Sequence, residues 1–135
     1  MFVDPGDNPK RLPAAAQKEI RDRLLAADVD LVVLAGFMRL LKAEVLDAFP
    51  GRIVNIHPSL LPKYKGVAAW KQALEAGESE AGCTVHYVGA EVDAGEIIAQ
   101  EAVPILDGDT PESLHARIQE VEHRLFPATI ARLLE

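Results

Sequence analysis

The chain has 135 residues, 49% of them apolar, enough for one small domain with a real core and too many for a disordered segment. Its 14 Lys and Arg against 21 Asp and Glu leave a net charge of −7, which argues against nonspecific binding to nucleic acid or to a membrane surface. The single Cys83 rules out an intramolecular disulfide, no apolar run reaches the length of a membrane span, and no signal-peptide pattern precedes Asp4, so the chain reads as cytosolic.

Met1 to Val3 reads as the tail of a strand, and Asp4 to Arg11 as a loop rich in turn formers. Ala14 to Ala27 has helical composition, with Ile20 and Leu24 as an apolar stripe. Leu31 to Ala35 is a continuous apolar run stopped by Gly36, the pattern of a strand buried on both faces of a parallel sheet. A short helix is expected over Lys42 to Phe49, and Phe49-Pro50-Gly51 breaks the chain before the strand Ile53 to His57. Strand, helix, strand, helix, strand is the order of an α/β protein. Ala68 to Ala76 follows as a helix with Gly77 as its stop. Cys83 to Val88 alternates and reads as a strand, Ile97 to Ile105 as another, with the turn-rich loop Gly89 to Glu96 between them. Thr110 and Pro111 are N-cap and N1 residues for a last helix, with Leu114, Ile118, Val121 and Leu125 facing inward and Pro127 expected to kink or restart it.

The most informative stretch is IVNIHPSLLPKYKG, residues 53 to 66. In a strand, side chains two apart share a face, so Asn55 and His57 point the same way from its carboxyl end. Pro58 biases His57 toward extended backbone, and Pro62 and Gly66 keep the next segment out of helix. An amide donor beside an imidazole suits a reaction in which a carbonyl oxygen gains negative charge while a proton moves nearby. Taken singly, Asn55 is equally a turn cap and His57 a satisfied polar residue at a strand end. Asp93, in EVDAGE, is the best group to orient the imidazole, although it also reads as an ordinary turn Asp before Gly95.

Other candidates carry blander readings. His86 alternates with apolar neighbours and reads as a hydrogen-bonded sheet residue, and Cys83 as core packing. His115 and His123 lack metal-ligand spacing to any Cys or carboxylate cluster, so no metal site is expected. Gln119 and Glu122, three apart, share a helix face outside the Leu114, Ile118, Leu125 stripe and read by default as solvated. Arg39, Lys63 and Lys65 lie in or beside loops at strand ends, where they are either surface charge or attractors of an anionic ligand. Residues 36 to 41, GFMRLL, either line a pocket at the sheet's carboxyl edge or pack beneath the next helix. No loop of the GxGxxG or GxxxxGK type occurs; either the protein lacks a phosphate site or the chain is incomplete.

LVVLAGFMRLL, IVNIHPSLLPKYKG, GCTVHYVGAEVDAGEIIAQEAVPI and EVEHRLFPA, covering nearly everything from Asp30 onward, resemble the folate-dependent glycinamide ribonucleotide formyltransferases of purine biosynthesis. The resemblance implies a Rossmann-like formyltransferase fold, a mostly parallel sheet flanked by helices. It implies transfer of a formyl group from 10-formyltetrahydrofolate to the amine of glycinamide ribonucleotide through a tetrahedral intermediate, with no metal, no nucleic acid and no membrane. The family's catalytic residues fall on Asn55, His57 and Asp93: Asn55 and protonated His57 would stabilise the oxyanion, and Asp93 would support the imidazolium. Folate contacts fall on Met38, Arg39, Leu40, Leu41, Asn55, Gly89, Ala90, Glu91, Val92 and Asp93, with Arg11 the nearest match for an early arginine. Glycinamide ribonucleotide contacts fall on Gln119, Glu120, Val121 and Glu122. A cytoplasmic monomer or homodimer is expected.

By the same resemblance residues 1–135 form the carboxyl-terminal two thirds of a formyltransferase domain, with the first strands and the phosphate loop absent, and little or no transferase activity is expected of the isolated chain. Val67-Ala68-Ala69-Trp70 departs from the polar residues, His included, that many members carry there. The alternatives are another 10-formyltetrahydrofolate-using formyltransferase or hydrolase, or an inactive folate-binding fragment. The initiator-tRNA enzyme usually has an arginine where Lys65 stands and an added basic domain; this chain has neither.

Overall fold

The computed structural model describes residues 13–34, 43–66, 68–89 and 95–135. The expected strand tail Met1 to Val3, the loop Asp4 to Arg11 and the segment of residues 36–41 lie outside them. Four strands, β1 (Val32–Leu34), β2 (Ile53–His57), β3 (Glu80–Tyr87) and β4 (Ile97–Pro104), form one sheet in sequence order. β1 and β2 pair in parallel, whereas β2 with β3 and β3 with β4 pair antiparallel. Three of the four strands therefore run one way and β3 alone runs against them, so the sheet is mostly parallel in strand direction. Parallel pairing is nevertheless confined, among the described strands, to β1 and β2. The antiparallel return of β4 on β3 follows from the length of its connection: residues 88–96 are too few for a crossover.

Helices α1 (Ala14–Ala26) and α2 (Ala43–Leu46) cover one face, where Ala16, Val45 and Phe49 bury Val32 and Ile53. Helices α3 (Ala69–Glu75) and α4 (Pro111–Leu133) cover the other. There Ala73, Leu114 and Ile118 meet Ala81, Cys83 and Val103, and Phe126 meets Val54 and Val85. α3 ends as its sequence requires: Gly77, at φ 74°, and Glu78 return their amides to the carbonyls of Leu74 and Ala73.

α4 begins with a reciprocal cap, Ser113 N–H donating to Thr110 Oγ1 at 3.1 Å and Thr110 N–H to Ser113 Oγ at 3.0 Å, with Pro111 in the first turn. It runs unbroken to Leu133, so Pro127 does not restart it. Pro127 and His123, whose carbonyl loses its amide partner, both lie on the exposed side, where water can satisfy that carbonyl.

Candidate active site

β2 ends at His57 because Pro58 offers no amide and holds the preceding residue extended. Asn55 lies in register between Leu34 of β1 and His86 of β3, and His57 lies opposite Thr84. Alternation puts Val54 and Ile56 toward the α4 layer and Asn55 and His57 together on the opposite face. His57 is 5% exposed and Asn55 half-buried. Cross-strand partners share a face, so buried His86 stands beside Asn55 and buried Thr84 beside His57. His86 Nδ1 donates to the Tyr87 carbonyl at 3.0 Å, so it is a hydrogen-bonded sheet residue, as expected. Its place beside Asn55 follows from the strand register, which the sequence does not display.

The loop after His57 is fastened over this face. The Thr84 hydroxyl donates to the Ser59 carbonyl at 2.7 Å and accepts from Leu61 N–H at 3.1 Å and Gln100 Nε2 at 3.0 Å. That fills one donor and two acceptor sites, the full capacity of a hydroxyl. Gln100 also donates to the Leu61 carbonyl at 2.8 Å. Ser59 Oγ donates to the Lys63 carbonyl at 2.6 Å, closing the loop on itself. His57 Nε2 donates to the Tyr64 carbonyl at 2.8 Å, because a carbonyl can only accept. Lys63, weighed from sequence as an anion attractor, lies 3.4 Å from the Glu78 carboxylate instead. Lys65 is exposed.

Asp93, Arg11, Met38, Arg39, Leu40, Leu41, Ala90, Glu91 and Val92 lie outside the described residues. Gly89 is described and exposed. The hairpin that carries the expected loop is closed by Tyr87 N–H to the Glu96 carbonyl, and Val88 N–H reaches the Ile53 carbonyl, both at 2.9 Å. Its base therefore sits at the Ile53 end of β2, away from His57.

The last helix corrects one expectation outright. Gln119 and Glu120 are exposed and Val121 packs against the core, but Glu122 does not share a solvated face with Gln119. It falls on the ladder Leu114, Ile118, Glu122, Phe126, whose other members are all buried, and it is itself half-buried. Steps of four drift only about 40° per residue pair, so Glu122 follows Ile118 toward the sheet. Burial pushes its carboxyl up to about 7. The Cys83 thiol is pushed up to about 12, first by burial and then by the nearby Glu122 and Glu101 charges, so it is core and not a nucleophile. Cys83 lies one step beyond Thr84, the partner of His57, which puts Glu122 near the carboxyl end of β2 but behind the face that carries Asn55. At the α3–α4 join, Trp70 stacks on His115, ring centroids 3.6 Å apart and planes 4° from parallel. Neither residue's partner could be read from helix periodicity.

Residues 8–130 match the family model described as formyl transferase. The chain belongs to the formyl transferase family. It is 46% identical to phosphoribosylglycinamide formyltransferase of Bacillus subtilis (strain 168) over 121 residues, 90% of this chain and 62% of that protein. It is 57% identical to trifunctional purine biosynthetic protein adenosine-3 of Drosophila melanogaster over 116 residues, 86% of this chain and 9% of that protein. The crystal structure of glycinamide ribonucleotide transformylase 1 from Symbiobacterium toebii superimposes with a TM-score of 0.84 at 56% identity, over 86% of this chain and 55% of that one. This formyl transferase chain thus spans between about a tenth and three fifths of these relatives. Its α/β sheet is the Rossmann-like formyltransferase fold. Among its described residues no group of three or more His, Cys, Asp or Glu could hold a metal ion, and no helix is long and apolar enough to cross a membrane.

Proposed function

We propose that residues 1–135 form a formyltransferase domain, and that the protein carrying it transfers a formyl group from 10-formyltetrahydrofolate to the amine of glycinamide ribonucleotide in purine biosynthesis. The observation that carries this reading is the placing of Asn55 and His57 on one sheet face at the end of β2, beneath a loop fixed by the Thr84 hydroxyl. The names of the relatives support this choice of substrate.

The folate supplies a carbon already at the formyl oxidation level. In the transfer the amine nitrogen bonds to that carbon, the folate's C–N bond breaks, and one proton passes from the attacking nitrogen to the leaving one. Asn55 donates its amide to the carbonyl oxygen as negative charge grows there, and His57 holds a proton near the same oxygen. Asp93 supports the charged imidazole. Asn55 and Gly89, with Arg11, Met38 to Leu41 and Ala90 to Asp93, hold the folate. Among the described residues nothing lies within 4 Å of where a side chain at Gly89 would stand, which suits its backbone to a flat ring. Gln119 to Glu122 hold the ribonucleotide, with the Glu122 carboxylate accepting from hydroxyls or the amine. The buried, lone Cys83 fits a reducing compartment, and we place the protein in the cytoplasm as a monomer or homodimer.

The test is a turnover assay of the purified protein with both substrates, alongside Asn55→Ala and His57→Ala. Formylated ribonucleotide that disappears in both variants supports the proposal. Release of free formate without it points to a hydrolase, and calorimetric binding of a folate analogue without turnover points to a folate-binding fragment.

A further inference from the structure

His57 is held by a backbone atom, and what holds that atom is a side-chain pair well away from the reaction. The Tyr64 carbonyl that accepts from His57 Nε2 belongs to a residue at φ 54°, left-handed backbone that a tyrosine enters only at a cost. Its neighbours in the loop are anchored on either side. The Lys63 carbonyl takes the Ser59 hydroxyl at 2.6 Å, and Gln72 Nε2 reaches the Lys65 carbonyl at 3.5 Å. Tyr64 itself is tied down by its phenol, which donates to Glu78 Oε1 at 2.9 Å while Lys63 Nζ lies 3.4 Å from Oε2. Glu78 is the second residue of the turn that ends α3, and its own amide is fixed on the Ala73 carbonyl. A rigid turn thus holds the phenol and the phenol holds the strained backbone.

We propose that Tyr64 and Glu78 are positioning residues for His57: their hydrogen bond fixes the Tyr64 carbonyl, which commits the Nε2 proton to the backbone and makes Nδ1 the nitrogen that gains and loses a proton. The proposal rests on the formyl-transfer reading for its catalytic consequence, but the tautomer it assigns does not depend on that reading. Two further shifts agree with the same contact. The Tyr64 hydroxyl is raised by its bond to Glu78, and the Glu78 carboxyl is lowered by Tyr64 first and Lys63 second. Among the described residues, Lys63 is the other titratable group that faces the pair.

Nitrogen-15 NMR of the histidine side chains reads the tautomer directly, with His57 assigned by its absence in His57→Ala. The unaltered protein is expected to show protonated Nε2 and unprotonated Nδ1 at high pH. Tyr64→Phe and Glu78→Ala should move the signals toward a mixture of tautomers, whereas Glu78→Gln, which still accepts from the phenol, should keep the parent spectrum. In turnover, Tyr64→Phe and Glu78→Ala should lower kcat about tenfold with KM little changed, and Glu78→Gln should restore it. A parent spectrum with the proton on Nδ1 overturns the proposal even if every variant misfolds, and so do folded variants with parental spectra. The tautomer shift without any formyl transfer keeps the positioning role and sinks the proposed reaction instead.

Discussion

Glu122 of α4 lies close enough to the Cys83 thiol of β3 to raise it, and the same burial lifts the Glu122 carboxyl itself to about 7. A folded-state value above the ordinary 4.5 means that the folded protein binds this proton more tightly than the unfolded chain does. The stability it contributes is therefore complete below pH 4.5 and is lost as pH rises through about 7. The carboxyl is partly open to water, so the loss is roughly 1–2 kcal/mol. Glu122→Gln should remove that slope and leave the variant more stable than the parent at pH 8, measured by urea unfolding. His115 acts in the opposite sense: burial lowers it from 6.5, so its contribution is present above pH 6.5 and is lost as pH falls. The difference curve between parent and Glu122→Gln cancels the His115 part. A parallel pair of curves would refute the raised carboxyl.

Thr84 is the most heavily committed hydroxyl of the site. Thr84→Val keeps the shape but strands the Leu61 amide and the Ser59 carbonyl, both of buried loop residues, and leaves Gln100 with the Leu61 carbonyl alone of its two acceptors here. Leaving buried groups unsatisfied costs about 1–3 kcal/mol. The expected result is a fall in Tm with a loss of turnover larger than the stability change alone explains, because the loop that holds His57 loosens. Calorimetry and kinetics on one preparation separate the two, and an unaltered Tm would show that the network is ornamental.

Gly82 lies in β3 on the same face as Thr84, and a methyl group there would meet the Glu101 carbonyl and the side chain of Leu60. Leu60 can turn aside, but the carbonyl belongs to the β3–β4 ladder and cannot. Gly82→Ala is accordingly expected to destabilise by about 1–3 kcal/mol, the usual range for overpacking. Thermal unfolding measures it, and a neutral substitution would mean that β4 shifts freely against β3.

The elements legible in the sequence were those with local signals. β2 was bounded by Pro50-Gly51 and Pro58 and fell on Ile53–His57 as read, and the α4 cap at Thr110 followed from Thr-Pro. Asn55 and His57 were legible for the same reason: two residues of one strand share a face whatever the rest of the fold does. The reversed direction of β3 and the pairing of His86 with Asn55 are not local, since they depend on which strands meet and in what register. Glu122 reads as solvated by its residue type, whereas its position, four from both Ile118 and Phe126, puts it on the buried ladder. Trp70 and His115 are 45 positions apart in the chain, and only the packing of α3 on α4 brings their rings together.

Asn55 permits the sharpest test of the chemistry, because its role depends on donating a hydrogen bond and not on its size. Removing one donor from a developing oxyanion typically costs about a hundredfold or more in kcat, and Asn55→Ala should fall in that range with KM for either substrate changed much less. Asn55→Asp keeps the side chain's shape but replaces the donor by a carboxylate that repels the growing charge. It should therefore be no better than Asn55→Ala at neutral pH, and should recover toward it, or beyond, at low pH as the carboxyl gains a proton and can donate again. Steady-state kinetics of both variants over a pH series measure this. If Asn55→Asp kept most of the parent's activity at neutral pH, Asn55 would be acting through packing against Leu34 and His86, and the oxyanion would have to be held elsewhere.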